Sequence, residues 1–306
     1  MPLEGPTVGK GGTGNPQGVQ GTGARGAPAR ARANGLRQWY VVLTSQASHY
    51  FRTSRFFGLL GFVVLISCLT LGFEFQVGAV AERAIQLGHV SEYLSNFLAL
   101  TPLWIILAAA FFAGDALSTD FSTGTGYYML VLPVHRRTLL AGRYASAALA
   151  TLAIVVVYFG LAIFGASCFF GLGAIPWSKV GVAFELSVVF TLACLSVAFC
   201  ISAFIRSPSA GVLTTVLALY VGFATVQSTV ELADYEPWWS LLYGGNAMAA
   251  ALDTDFVHET SSPLGSGQYT SVWMAGRVEG MVIMLVYLAI FLVFSLYLYS
   301  RKESTG

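Results

Sequence analysis

The chain has 306 residues, of which 56% are hydrophobic and only 10% charged, with a formal net charge of +1 and a mean hydropathy of +0.69. A soluble domain carries roughly a quarter charged residues and avoids broad apolar surface, so this balance excludes an ordinary water-soluble globule and points to a membrane protein. The net charge itself says little, because the charges are sorted by position along the chain.

Residues 1–35 are rich in Gly, Pro, Ala and Arg and hold almost no large apolar side chain. Such a segment cannot bury enough surface to offset its chain entropy, so a disordered tail is expected. It lacks the apolar core of a cleavable signal. Gly21-Thr-Gly23-Ala-Arg-Gly26 fits GxGxxG. No strand pattern precedes it and no helix pattern opens after it, so it does not read as a dinucleotide loop. GxxxxGK[ST] occurs nowhere, so no nucleotide-binding loop is expected in this chain. Residues 36–55 mix Trp39, Tyr40, Val41, Val42 and Leu43 with Arg37, His49, Arg52 and Arg55. This predicts an amphipathic helix lying at the membrane surface. A plain basic anchor beside the first span is the alternative.

Six long apolar runs follow, at 56–73, 97–114, 139–170, 180–205, 209–230 and 277–300. A helix needs about 20 apolar residues at ~1.5 Å each to cross ~30 Å of hydrocarbon. Backbone groups in lipid must pair within helices or closed barrels, so the expected class is all-α with six transmembrane helices in one domain, 56–300. Cys68, Cys168, Cys194 and Cys200 all lie inside these runs without metal-site spacing and read as buried small hydrophobes.

Basic residues set the orientation. Arg25, Arg30, Arg32, Arg37, Arg52 and Arg55 precede the first span. Arg136, Arg137 and Arg143 lie between the second and third, Arg206 between the fourth and fifth, and Arg301 and Lys302 after the sixth. The opposite loops hold Arg83, Lys179 and Arg277 and most of the acids. The positive-inside rule then places both termini, including the 301–306 tail, in the cytosol of a multi-pass cell-membrane protein. The longest external segment, 231–276, contains Tyr235-Glu-Pro237-Trp238-Trp239 and Gly244-Gly245-Asn246. Interfacial aromatics predict short re-entrant or interfacial helices there, followed by a loop through Ser261–Gly267.

Catalytic chemistry is hard to assemble from these residues. His49, His89, His135 and His258 sit on different loops, and His258-Glu259 lacks the second His of HExxH. Asp115 has no second Asp at its depth and reads as a helix-end residue facing water. Glu185, Arg277 and Glu279 are the charges within the spans, near the external interface. Such charges mark either a substrate pathway or structural pairing. A proton-coupled carrier calls for a carboxylate near the midplane, and none is found.

Between the second and third runs the chain reads Asp120-Phe-Ser-Thr-Gly124-Thr125-Gly-Tyr127-Tyr128-Met-Leu-Val-Leu-Pro133-Val134-His-Arg136-Arg137-Thr-Leu-Leu-Ala-Gly142-Arg143. Taken alone it is a cytosolic loop with an amphipathic helix that Pro133 ends. In order and spacing it also resembles the segment between spans two and three of ABC-2 type permeases of ABC transporters. That family carries an acidic residue four before Gly-Thr, a short apolar run, Leu-Pro-Val-x-Arg, and then Gly-Lys. Here Asp120 replaces the usual Glu and Arg143 the usual Lys, with charge kept.

The resemblance implies an elbow helix over 36–55 and a cytosolic coupling helix around Ser118–Leu132 that docks on an ATPase subunit. Asp120 and Arg136 would fix the helix ends, Gly124 and Thr125 would allow close approach, and Tyr127 and Tyr128 would supply contact area. Pro133, Arg137, Gly142 and Arg143 complete the interface. It implies a permease, most often an exporter, and not an enzyme. No cofactor would be bound by this chain, while ATP and Mg would sit on two partner ATPase subunits. A second permease subunit, identical or homologous, and membrane lipid are the other partners; nucleic acid is not. A six-span channel or secondary carrier outside the ABC class is the competing reading.

Overall fold

A computed structural model describes residues 35–76, 90–114, 116–118, 136–205, 207–252, 258–264 and 268–302. Helices dominate: α1 Gly35–Arg52, α2 Ser54–Gln76, α3 Val90–Leu98, α4 Thr101–Ala113, α5 Arg136–Phe170 and α6 Trp177–Phe204 come first. The fifth run forms α7 Pro208–Val216 and α8 Phe223–Leu232, joined by a wider π-helical turn over Leu217–Gly222. Then come α9 Leu241–Ala250, the strands β1 Glu259–Leu264 and β2 Gln268–Trp273, and α10 Arg277–Lys302.

Six stretches are long and apolar enough to cross a membrane: Ser54–Phe73, Val90–Ala113, Thr138–Phe170, Trp177–Phe204, Pro208–Leu232 and Arg277–Leu298. The second begins seven residues before the expected 97. The polar Ser91, Glu92, Ser95 and Asn96 interrupt the apolar run, but Val90, Tyr93, Leu94, Phe97 and Leu98 form one buried stripe at helical spacing. The stripe packs on the far end of α5, with Tyr93 against Phe169 and Phe170 and Phe97 stacked on Tyr158.

The break between α3 and α4 has a local cause. Pro102 lacks an N–H and disfavours helical geometry in the residue before it. Thr101 Oγ1 donates to the Leu98 carbonyl at 2.6 Å, and Tyr158 OH donates to the Phe97 carbonyl. Both bonds serve acceptors that the broken helix would otherwise leave unmet. The far end of α5 closes through Gly171, whose φ of +80° suits glycine.

α6 is the most enclosed of the spans, and α10 the most exposed. α6 packs against α4, α5, α9 and α10 around a core that includes Phe190, Leu195 and Phe199. α5 is 35 residues long, or roughly 52 Å at 1.5 Å per residue, well beyond the ~30 Å of hydrocarbon. α1 packs along α5, with Val42 lying against Gly142, and Tyr50 OH donates to the Phe112 carbonyl at 2.9 Å.

Two expectations are corrected. Cys194 and Cys200 are buried, but Cys68 and Cys168 lie on the outer faces of α2 and α5, because those helices turn an apolar flank away from the bundle. Of the segment read as a loop through Ser261–Gly267, residues 261–264 belong instead to an antiparallel strand pair, with Glu259 opposite Trp273 and Leu264 opposite Gln268, and residues 265–267 lie outside the described residues. The short helix expected near Gly244–Asn246 is α9.

Candidate functional site

At the end of the bundle carrying Arg143, four spans meet closely. A Cβ on Gly211 would collide with the Gly114 carbonyl, so α7 and the end of α4 touch backbone to backbone. Beyond α4, Ser202 Oγ of α6 accepts the N–H groups of Leu117 at 3.1 Å and Ser118 at 3.3 Å. Arg143, 5% exposed on α5, donates from Nη1 to the Ala116 carbonyl at 3.2 Å. Residues 116–118 are therefore held by α5 and α6 together, and the start of α5 is held by α1 through Gly142.

Of the residues singled out in the sequence, Gly142 and Arg143 are buried here, and Arg136 and Arg137 form the first turn of α5. Asp120, Gly124, Thr125, Tyr127, Tyr128 and Pro133 lie outside the described residues, as do Asp115 and nearly all of the 1–35 tail. Ser202 gave no sequence signal, because a serine inside an apolar run is indistinguishable from packing.

The opposite end carries a polar cluster. α9 sits between α6 and α10: a Cβ on Gly280 would collide with Ala247 and the Gly244 carbonyl, and one on Gly245 would press on Phe190. This thin face brings Tyr243, fully buried, beside the first turn of α10. Tyr243 OH donates to Glu236 Oε1 at 2.6 Å. Burial, that hydrogen bond and the nearby Glu279, Glu236 and Glu231 push its phenol well above the ordinary range, so it stays a donor at any ordinary pH. His258 Nε2 lies 3.3 Å from the same Glu236 oxygen, and its ring edge meets Trp273. The His258 carbonyl accepts the Met274 N–H at 2.9 Å, fixing the base of the hairpin.

Glu279 accepts the Gly276 N–H at 3.3 Å. One ligand atom each from Glu236, His258 and Glu279 falls within 4.8 Å of the others, a spacing that could hold a metal ion. Nearby, Gln227 Nε2 donates to Glu231 Oε1 at 2.9 Å, and Ser240 Oγ to Gln227 Oε1 at 3.2 Å.

Glu185 and Arg277 form an ion pair at 2.8 Å that links α6 to α10, with both side chains about half exposed. This is the pairing one of the two sequence readings expected; such exposed pairs contribute at most about 1 kcal/mol. Glu236, Ser240, Tyr243 and His258 were not singled out as a group, since nothing in one sequence says that residues so far apart converge. Trp177, Tyr235, Trp238 and Trp239 ring this end with exposed aromatics, the pattern of a membrane interface. Between α8 and α10, Trp239, Phe223, Val286 and Tyr287 line an apolar groove.

Residues 60–305 match the family described as "Protein of unknown function (DUF2705)". No curated protein matches the chain.

Proposed function

We propose that this chain, which belongs to the DUF2705 family, is the membrane-spanning subunit of an ATP-driven ABC transporter of the ABC-2 type. The observation that carries the reading is the motif from Asp120 to Arg143 together with the anchoring of its two flanks. A segment that transmits force must be tied to the spans it moves. Residues 116–118 are tied to α6 through Ser202 and to α5 through Arg143. The helix that begins at Arg136 is backed by α1 through Gly142. A push on residues 119–135 would thus reach α4, α5, α6 and α1 at once.

In this reading α1 is the elbow helix, and residues around 118–132 form the coupling helix that docks on the ATPase. Both termini are cytosolic in the cell membrane, on the distribution of arginines. ATP and Mg belong to the partner ATPases, of which two serve two permease subunits. α10, α8 and the π-helical turn leave broad apolar surface outside the bundle, including Val278, Ile290, Val293, Leu217 and Val221. Lipid and a second copy would cover it.

The test is co-purification with an ABC ATPase subunit from the same cell, followed by ATP hydrolysis assays in lipid. Wild type is expected to form a stable complex with substrate-responsive hydrolysis. Gly124→Trp is expected to insert normally yet uncouple hydrolysis from transport. A folded chain that captures no ATPase, or a G124W variant that transports at the wild-type rate, would remove the reading and bring forward the channel or carrier alternative.

A further inference from the structure

We propose that Glu236, His258 and Glu279 bind one divalent transition-metal cation of the zinc class. The site would tie the base of the β-hairpin to the first turn of α10 and to the segment entering α9. It does not rest on the permease reading, since it lies at the opposite end of the bundle from Arg143.

Three observations carry the proposal. First, the donor set is one imidazole and two carboxylates, the mixture of nitrogen and oxygen ligands that zinc and its neighbours accept. The three residues come from separate segments of the chain, so their approach within 4.8 Å is a product of the fold and not of chain adjacency. Second, each ligand is oriented by a further group, as metal ligands characteristically are. Buried Tyr243 donates to Glu236, the Gly276 N–H holds Glu279, and His258 is braced by Trp273 and by the Met274 N–H on its own carbonyl.

Third, among the described residues two carboxylates converge on one imidazole. One carboxylate oxygen each of Glu236 and Glu279 lies within 4.8 Å of the other and of the imidazole nitrogen, while Arg277 in the same turn as Glu279 is paired with Glu185. Like carboxylates at this range repel. A divalent cation offsets both carboxylates and accepts the lone pair of a neutral imidazole ring.

His258 Nε2 and Glu236 Oε1 already stand 3.3 Å apart, about the ligand–ligand distance of a tetrahedral zinc site with bonds of about 2.0 Å, and Glu279 lies within 4.8 Å of both. Binding therefore asks Glu279 to move inward by no more than about 1.5 Å. His258 and Glu236 side chains are 45% and 30% exposed, which leaves both this freedom and a route in from water.

The experiment uses the full chain, purified with a tag free of histidine, placed in lipid nanodiscs, stripped with EDTA and re-equilibrated with ZnCl2 or CoCl2. Metal content by mass spectrometry and the visible spectrum of bound cobalt are the readouts. Wild type is expected to hold one zinc per chain and to give the strong absorption of low-coordinate cobalt. His258→Gln and Glu279→Gln are near-isosteric and partly exposed, so both should insert; each is expected to lower affinity at least tenfold. Tyr243→Phe, which only positions Glu236, is expected to cost about tenfold with stoichiometry retained. Glu185→Gln, which breaks the separate ion pair, should bind as wild type does. Less than stoichiometric zinc on wild type at micromolar metal, or equal binding by the H258Q/E279Q double variant, would overturn the proposal.

Discussion

Arg143 shows how much a single side chain carries where α4, α5 and α6 meet. Its guanidinium is nearly removed from water, and it donates to the carbonyl of Ala116, 27 residues earlier in the chain. A buried charge is retained only where hydrogen bonds replace its hydration. Arg143→Ala would strip the Ala116 carbonyl of this donor and open a void beside α1 and α4. The expected loss is about 1–3 kcal/mol, read as a lower melting temperature in detergent or nanodiscs. Arg143→Lys keeps the charge but not the planar fork, so an intermediate melt is expected. If alanine melted with or above lysine, the buried contact would not be what holds residues 116–118 to α5.

At the scale of elements, the spans were legible and their breaks were not. Runs such as 180–205 and 277–300 announce themselves, because lipid demands about 20 consecutive apolar residues and leaves little choice but helix. The start of the second span at Val90 was hidden, since Glu92 and Asn96 look like loop residues until the stripe Val90, Tyr93, Leu94 and Phe97 is seen on α5. The hairpin was hidden by Pro263, which argues against a strand interior, and by three serines with weak strand preference. Pro263 sits opposite Tyr269 on a two-stranded ribbon, in which both strands are edge strands and a residue without an N–H is tolerated. The polar cluster was least legible of all, because Glu236, Tyr243, His258 and Glu279 lie on four separate segments of the chain, brought together beside the thin Gly244–Gly280 crossing.

The kink between α3 and α4 can be tested in the same terms. Thr101 is 1% exposed and its hydroxyl satisfies the Leu98 carbonyl. Thr101→Val preserves shape and removes the donor, so a loss of about 1 kcal/mol is expected, again read from the melt. Thr101→Ser keeps the donor and should recover most of it. Equal melts for valine and wild type would mean that the break is held by packing of Tyr93 and Phe97 alone.

For the whole molecule, the decisive physical statement is the direction in which it is threaded. We propose one topology from the alternation of basic and acidic loops, with the two differently built ends on opposite sides of the membrane. Arg143, Gly114 and Ser202 gather at one face; Trp177, Tyr235 and the Glu236–His258–Glu279 cluster gather at the other. Ser178 at the start of α6 and Ser207 just before α7 are exposed and mark the two faces. In a background with the four native cysteines replaced, Ser178→Cys is expected to react with a membrane-impermeant maleimide in intact cells. Ser207→Cys is expected to react only after permeabilisation. The reverse pattern would put residues 119–135 outside the cell, where no ATPase could reach them, and would end the coupling reading. It would leave the cation site intact but move it to the cytosolic face, where zinc is held at far lower free concentration by competing thiols.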